Sequence, residues 1–266
     1  MTQAGVVTAN ADETTQDRFL DGAFVLMQRR RGAHRCGSDA ILLAATVSGD
    51  AVGRTVDLGS GPGAAGFAVA VRTRSDVVLV DMDAESLALA AASLRLPENA
   101  GFANRIGVVQ GDIEGPVAEF TELGLAAGSA DRVIANPPFF EHGRHRAAPS
   151  DGRARARMLG EAGLSPWLKR AAHLLRPSGS LHLILPASLL AQALSLMEGR
   201  FGAVDILPVH ARPNTPADRI LVTAIKGSRA GLRIVPGLVM HEPDGRYSDA
   251  ASRILRAGAA IDRPPR

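Results

Sequence analysis

Asn136-Pro137-Pro138-Phe139-Phe140 follows the run Arg132-Val133-Ile134-Ala135. Val133 and Ile134 are β-branched and apolar, so the spacing predicts a buried strand that runs straight into a proline-locked turn. Pro137 and Pro138 have no N–H to donate and fix their own φ. Each also keeps the residue before it out of the α region, which holds Asn136 and Pro137 extended. An amide side chain, a bare carbonyl and aromatic rings are thereby presented at the carboxyl end of a strand, where open α/β sheets bind ligands. This set suits a planar amino or amide group. Asn136 Oδ1 and the Pro137 carbonyl accept its two N–H bonds, and Phe139 or Phe140 stacks on its plane. Accepting both hydrogens draws the nitrogen lone pair out of conjugation and makes that nitrogen a better nucleophile. Taken alone, the same residues also describe an ordinary proline-rich strand exit.

Three acids change that balance. Asp57 precedes Gly59-Ser60-Gly61-Pro62-Gly63, Asp81 closes the run Val77–Val80, and Asp112 follows Ile106–Val109. Glycines at a strand-to-helix turn let a ligand approach the backbone and leave N–H groups free at the helix start. Gly61 to Gly66 fits G-x-G-x-x-G, a weak signal that also marks dinucleotide dehydrogenases. A carboxylate at Asp57 counts against that reading, because it repels a pyrophosphate and suits a cationic, amino-bearing ligand. A carboxylate at Asp81 takes both hydroxyls of a ribose, and one at Asp112 accepts an amino N–H. Each Asp taken singly is equally well a helix N-cap. Together, at three successive strand ends and in this order, they form a row along one sheet edge.

The elements that position this row alternate along the chain. Phe19 to Gln28 reads as a short hairpin with its turn near Asp21-Gly22, and Arg29 to Gly37 as a basic loop. A helix from Ala40 to Val47 is capped by Ser38 or Asp39. Strands are expected at Thr55–Leu58, Val77–Val80, Ile106–Val109, Asp131–Ala135 and Ser180–Leu185. Helices are expected at Ala64–Arg72, Ala84–Leu96, Val117–Leu123, Ala162–Leu175 and from Ala187 to near Gly199. Val204–His210 and Arg219–Ile225 read as a closing antiparallel hairpin, followed by a further strand within residues 232–241 and a last helix over 248–257. The fold class is α/β, a doubly wound, mostly parallel seven-stranded sheet with a C-terminal antiparallel hairpin and a small N-terminal hairpin extension. Residues 1–17 read as a disordered tail and 18–266 as one domain: hairpin and helix over 18–50, core over 51–230, extension over 231–266.

Composition agrees with a globular protein. Hydrophobic residues make up 46% and charged residues 21% of the 266, which excludes a disordered chain. Cys36 is the single cysteine, so neither an internal disulfide nor a cysteine metal cluster is expected, and the chain reads as cytoplasmic. No apolar run is long enough for a membrane span and no leader is expected at the N-terminus. No metal site is expected. Lys169 and Lys226 are the only lysines, and the arginines group at Arg29, Arg30, Arg31 and Arg35, and again at Arg144, Arg146, Arg153, Arg155 and Arg157. The planar guanidinium fork suits phosphate, so both groups are candidate RNA contacts. His142 and His145, in the second group, read as solvated or phosphate-contacting.

With its glycine loop and acid row, the chain resembles the class I S-adenosylmethionine-dependent methyltransferases. The resemblance implies that Asp57, Asp81 and Asp112 serve the amino acid, ribose and adenine parts of that donor. Asp39, Gly59, Gly61, Gly63, Met82 and Asn136 join them at the donor site. Asn136-Pro137-Pro138-Phe139 resembles the Asn-Pro-Pro-aromatic motif of members that methylate planar nitrogens, which casts Asn136, Pro137 and Phe139 as the catalytic set. Gly37-Ser38-Asp39-Ala40-Ile41-Leu42-Leu43 is similar to the helix before the first strand in the bacterial valine-tRNA adenine-N6 methyltransferases. Leu207-Pro208-Val209-His210, Arg219-Ile220-Leu221-Val222, Lys226-Gly227-Ser228 and His241-Glu242 with Tyr247 also resemble that family. Members carry Tyr more often at the Phe139 position and Thr at the Ser38 position. The expectation is N6-methylation of an adenosine in a tRNA anticodon loop, by a monomer. Alternatives are N-methylation of a protein glutamine or an rRNA guanine, and a non-catalytic RNA-binding protein. The short stretch before the first strand disfavours the glutamine reading, and an intact set of Asp57, Asp81, Asp112 and Asn136 disfavours a dead copy.

Overall fold

The computed structural model describes residues 14–30, 37–138 and 163–265. Phe139, Phe140, Arg31, Arg35, Cys36 and the arginines from Arg144 to Arg157 lie outside those residues. Two strands come first, β1 (Thr14–Phe19) and β2 (Phe24–Arg29), paired antiparallel from Thr14↔Arg29 to Phe19↔Phe24. Thr14 to Asp17, read from sequence as tail, therefore belong to β1. Their polar, alternating pattern carries little apolar signal, and only the partner strand pairs their backbone. Leu20 and Asp21 at the turn have φ of 51° and 50°. The hairpin is clamped to the body by an aromatic row: Phe19 stacks on Phe24 at 5.0 Å, Phe24 lies 5.9 Å from Phe67, and Phe67 lies 5.8 Å from Phe102. The outer edge of β2 is covered as well. Val25 N–H donates to Asn99 Oδ1 (3.0 Å) and Met27 N–H to Ser93 Oγ (2.8 Å), so the edge offers fewer free donors to another chain.

The main sheet is built from β3 (Arg54–Leu58), β4 (Asp76–Asp81), β5 (Ile106–Gln110), β6 (Ala130–Ala135), β7 (Leu175–Pro186), β8 (Phe201–His210) and β9 (Ala217–Lys226). Its order is β5-β4-β3-β6-β7-β9-β8, with β3 to β7 parallel and β9 antiparallel to both neighbours. Two short strands, β10 (Arg233–Ile234) and β11 (Leu238–Val239), extend it along β8. The seven-stranded expectation thus holds for the long strands. The single strand expected within residues 232–241 is two pieces, separated by Val235, Pro236 and Gly237.

Helices cover both faces: α1 (Ser38–Ala45), α2 (Ala64–Arg72), α3 (Ala84–Ser93), α4 (Val117–Glu122), α5 (Ser165–Leu174), α6 (Leu190–Met197) and α7 (Asp249–Leu255). Side chains alternate faces along each strand. Leu79 and Ile134 therefore pack with α1 and α2 in one core, and Val56, Leu58, Val80 and Val133 pack with α5 in the other. By the same alternation Asp57, between Val56 and Leu58, faces α2. The expected cap of α1 is corrected: Gly37, which has no side chain to cap with, is the N-cap, while Ser38 and Asp39 fall inside the first turn. Strand β7 starts five residues earlier than expected, because its opening pairs Leu175 with Ala130 and a register shift follows. Among the described residues no helix is long and apolar enough to cross a membrane.

Candidate active site

Strands β5, β4, β3 and β6 lie side by side, so the chain segments leaving their carboxyl ends meet along one edge. The crossovers change direction between β3 and β6, and there Leu58 pairs with Ala135. Asp57 and Asn136 thus flank a topological switch point, the place where doubly wound sheets hold ligands.

The glycine loop is stitched to the end of β4. Gly59 and Ser60 donate their N–H groups to the Val80 carbonyl (2.8 and 3.0 Å), and Gly61 N–H donates to Asp81 Oδ2 (2.7 Å). Gly59, Gly61 and Gly63 have φ of 67°, 54° and 96°, a region closed to most side chains. Their surroundings differ. A Cβ on Gly59 would come within 2.3 Å of the Trp167 ring, and one on Gly63 within 2.8 Å of Leu79. A Cβ on Gly61 would meet no described residue within 4 Å, so among the described residues the loop is bare and open there.

Asp57 is 2% exposed and sits beneath this loop. Its Oδ2 accepts from Gly66 N–H (2.8 Å), an otherwise orphaned donor in the first turn of α2. Burial pushes the Asp57 carboxyl up to about 7; the Gly66 hydrogen bond works against that rise and the neighbouring Asp81 adds to it. Burial raises Asp81 as well, although it accepts from Asp83 N–H (2.8 Å) and Gly61 N–H. Two neighbouring acids held against their charged forms create a place where a cation is favoured. Asp112 is exposed and its Oδ1 closes a small turn by accepting from Glu114 N–H (2.9 Å). Met82 is 57% exposed between Asp81 and Asp83, and Gln110 Nε2 donates to its carbonyl (3.2 Å).

Asn136 follows β6 directly. It is half-buried and Pro137 is buried. The structure therefore brings Asp57, Gly59, Gly61, Gly63, Asp81, Met82, Asp112, Asn136 and Pro137 to one edge. Asp39 stands at the start of α1, paired with Arg219 Nε at 3.2 Å. Arg29 is engaged by Glu85 and by Asp83 at 3.9 Å, so its charge is already answered within the protein, whereas Arg30 is exposed. Among the described residues no His/Cys/Asp/Glu group is arranged to hold a metal.

Two residues of the site escape the sequence reading. Trp167 is the residue that closes over Gly59. Arg170 is buried on the same face of α5 and donates to the Ile113 carbonyl in the turn after Asp112. A charged residue inside the apolar stripe Trp167, Ala171, Leu174 is the signal that marks it.

A family profile described as "Methyltransferase small domain" matches residues 34–212. The chain is 31% identical to the tRNA1(Val) (adenine(37)-N6)-methyltransferase of Erwinia tasmaniensis, over 85% of this chain and 88% of that protein. It is 27% identical to the protein of that name from Shewanella putrefaciens, over 86% of this chain and 94% of that one. Among solved structures, a predicted O-methyltransferase from Agrobacterium tumefaciens superposes with a TM-score of 0.72 at 34% identity, covering 84% of this chain and 98% of that chain.

Proposed function

Because the chain belongs to the methyltransferase small domain family and uses S-adenosylmethionine as its donor, we propose that it methylates the exocyclic N6 of an adenosine in RNA, most specifically in a tRNA anticodon loop. The observation that carries the reading is Asn136–Pro137 standing at the end of β6, next to the Asp57 end of β3. The names of the Erwinia and Shewanella relatives support the same acceptor.

The residues present fit the donor, which supplies an electrophilic methyl group on a sulfonium. Gly61 leaves space clear of the described residues where a side chain would stand, and Asp57 and Asp81 are acids whose raised affinity for protons is relieved by a nearby cation. In this reading Asp57 favours the amino acid end, Asp81 the ribose and the Asp112 turn the adenine, with Met82 beside it. Asn136 Oδ1 and the Pro137 carbonyl accept the two N–H bonds of the acceptor amine and hold its lone pair toward the methyl group. The protein mainly aligns two reactants, and no covalent enzyme intermediate is required. Phe139, placed by sequence beside this pair, is proposed to stack on the base. Arg30 and the arginines at 31, 35 and 144–157 are proposed to meet phosphate, which predicts RNA binding that weakens steeply with salt.

The test is transfer of labelled methyl to bulk tRNA from a strain lacking the corresponding modification, followed by nucleoside analysis. Labelled N6-methyladenosine is expected. Label on guanosine or on protein would move the acceptor, and label on a hydroxyl would favour the O-methyl chemistry named for the Agrobacterium protein.

A further inference from the structure

Helix α5 presents two side chains, about one turn apart, to the two loops that leave β3 and β5. Trp167 lies against Gly59 so closely that no other residue type fits there without displacing the ring. Arg170, three residues on and hence on the same helix face, donates from Nε and Nη2 to the Ile113 carbonyl (3.2 and 3.1 Å). Its Nη2 also donates to the Gly115 carbonyl. The guanidinium lies 3.9 Å from the centre of the Phe120 ring, and Asp112 and Glu119 bear on it electrostatically. A buried guanidinium is a costly way to fill space. Arg170 is 6% exposed, and its Nη1 has no hydrogen-bond partner among the described residues, so the arrangement is not optimised for stability alone. What the guanidinium does accomplish is to hold two carbonyls of one turn, residues 113 and 115, at a set distance from α5.

We propose that Trp167 and Arg170 are positioning residues of the donor site. Trp167 sets the glycine loop and Arg170 sets the turn that carries Asp112, so one rigid helix fixes the spacing between loops that grip opposite ends of the donor. The proposal rests on the donor site assigned above and is independent of the acceptor. Lysine cannot substitute for Arg170 in this role, because a single ammonium lacks the fork that spans Ile113 and Gly115.

Trp167 is the chain's one tryptophan, so the wild-type protein carries its own reporter. Titration with S-adenosylhomocysteine is expected to change Trp167 emission in step with binding measured by calorimetry. Arg170→Lys keeps the charge and the stem; it is expected to weaken S-adenosylhomocysteine binding on the order of tenfold and to raise donor KM more than it lowers kcat. Arg170→Met is expected to weaken it further, and the lysine variant decides the matter if the methionine variant does not fold. Calorimetric binding without any change in emission overturns the role of Trp167. A folded Arg170→Lys protein that binds like wild type overturns the role of Arg170. Wild-type protein that does not bind S-adenosylhomocysteine at all overturns the donor site itself, a different result from either.

Discussion

The carboxyl edge of β3 and β4 and the polar cluster beneath β7 both bury ionisable side chains, with opposite outcomes. At the edge, Asp57 and Asp81 are pushed up by burial, and the hydrogen bonds they accept do not reverse it. Beneath β7, His182 is 7% exposed, with Nδ1 2.8 Å from Thr46 Oγ1 and Nε2 2.9 Å from Ser180 Oγ. The Thr46 hydroxyl gives its hydrogen to the Leu43 carbonyl (2.6 Å), so its oxygen accepts from His182 Nδ1–H, and Ser180 donates to Nε2. Arg263 completes the cluster by donating to Thr223 Oγ1 (2.6 Å) and the Thr46 carbonyl (2.7 Å). Burial, then Arg263 and Arg132, hold His182 down to about 3, so it is neutral in the folded protein. The difference teaches where a ligand belongs. The protein supplies partners for both ring nitrogens of His182, and leaves the acids of β3 and β4 short of a cation.

The sharpest way to break this contrast is to remove one residue from each side. Asn136→Ala is expected to lower kcat on the order of a hundredfold to a thousandfold, as loss of one aligned polar contact does elsewhere. Its donor affinity and urea midpoint should stay near wild type; retained turnover would remove Asn136 from the reaction. Gly59→Ala comes next, because it forces both a disfavoured φ and contact with Trp167. A loss of about 2–3 kcal/mol in unfolding free energy, together with weaker donor binding, is expected. Arg263→Met strips the cluster of its donor. It should cost about 1–3 kcal/mol in urea unfolding and leave donor KM unchanged, the reverse of the Asn136 result.

Two pH effects sharpen the comparison further. Asp57 has a folded pKa above its unfolded value, so its contribution to stability is full below about pH 4 and is lost as pH rises through about 7. His182 has a folded pKa below its unfolded value, so its contribution is present above about pH 6.5 and is lost as pH falls toward about 3. His182→Gln should therefore flatten the acid side of a stability-versus-pH curve, and Asp57→Asn the fall toward neutrality. If the donor selects ionised Asp57, its affinity should rise by up to about tenfold between about pH 6 and about pH 8. Calorimetry across that range checks the rise, and Asp57→Asn should abolish it.

Much of this was readable in the residues because local chemistry decides it. Helix α2 starts and stops where the glycine loop and Arg72 predict, since the turn at Gly61–Gly63 depends on φ values that glycine adopts freely. The buried strands β3, β4 and β6 announce themselves by β-branched runs. Asp57, Asp81 and Asp112 come in that order along the chain, at the ends of β3, β4 and β5. Thr14–Asp17 were not readable, because a polar edge strand is defined by its partner. The start of β7 at Leu175 depends on a register shift against β6.

For the site, residue type and position along the chain determined that Asp57, Asp81, Asp112 and Asn136 stand at strand ends, because a strand and the turn after it are local events. Tertiary structure alone decided how each is used. Asp57 lies under the loop, capping α2, because alternation along β3 turns it toward Gly66. Arg29 is taken up by Glu85 because β2 runs alongside α3. Trp167 and Arg170 reach loops more than fifty residues away in sequence, a relation visible only once α5 packs on β6 and β7 and brings these side chains to the loops after β3 and β5. Burial and distance between remote segments set pKa values and loop positions, and neither quantity exists until the chain has folded.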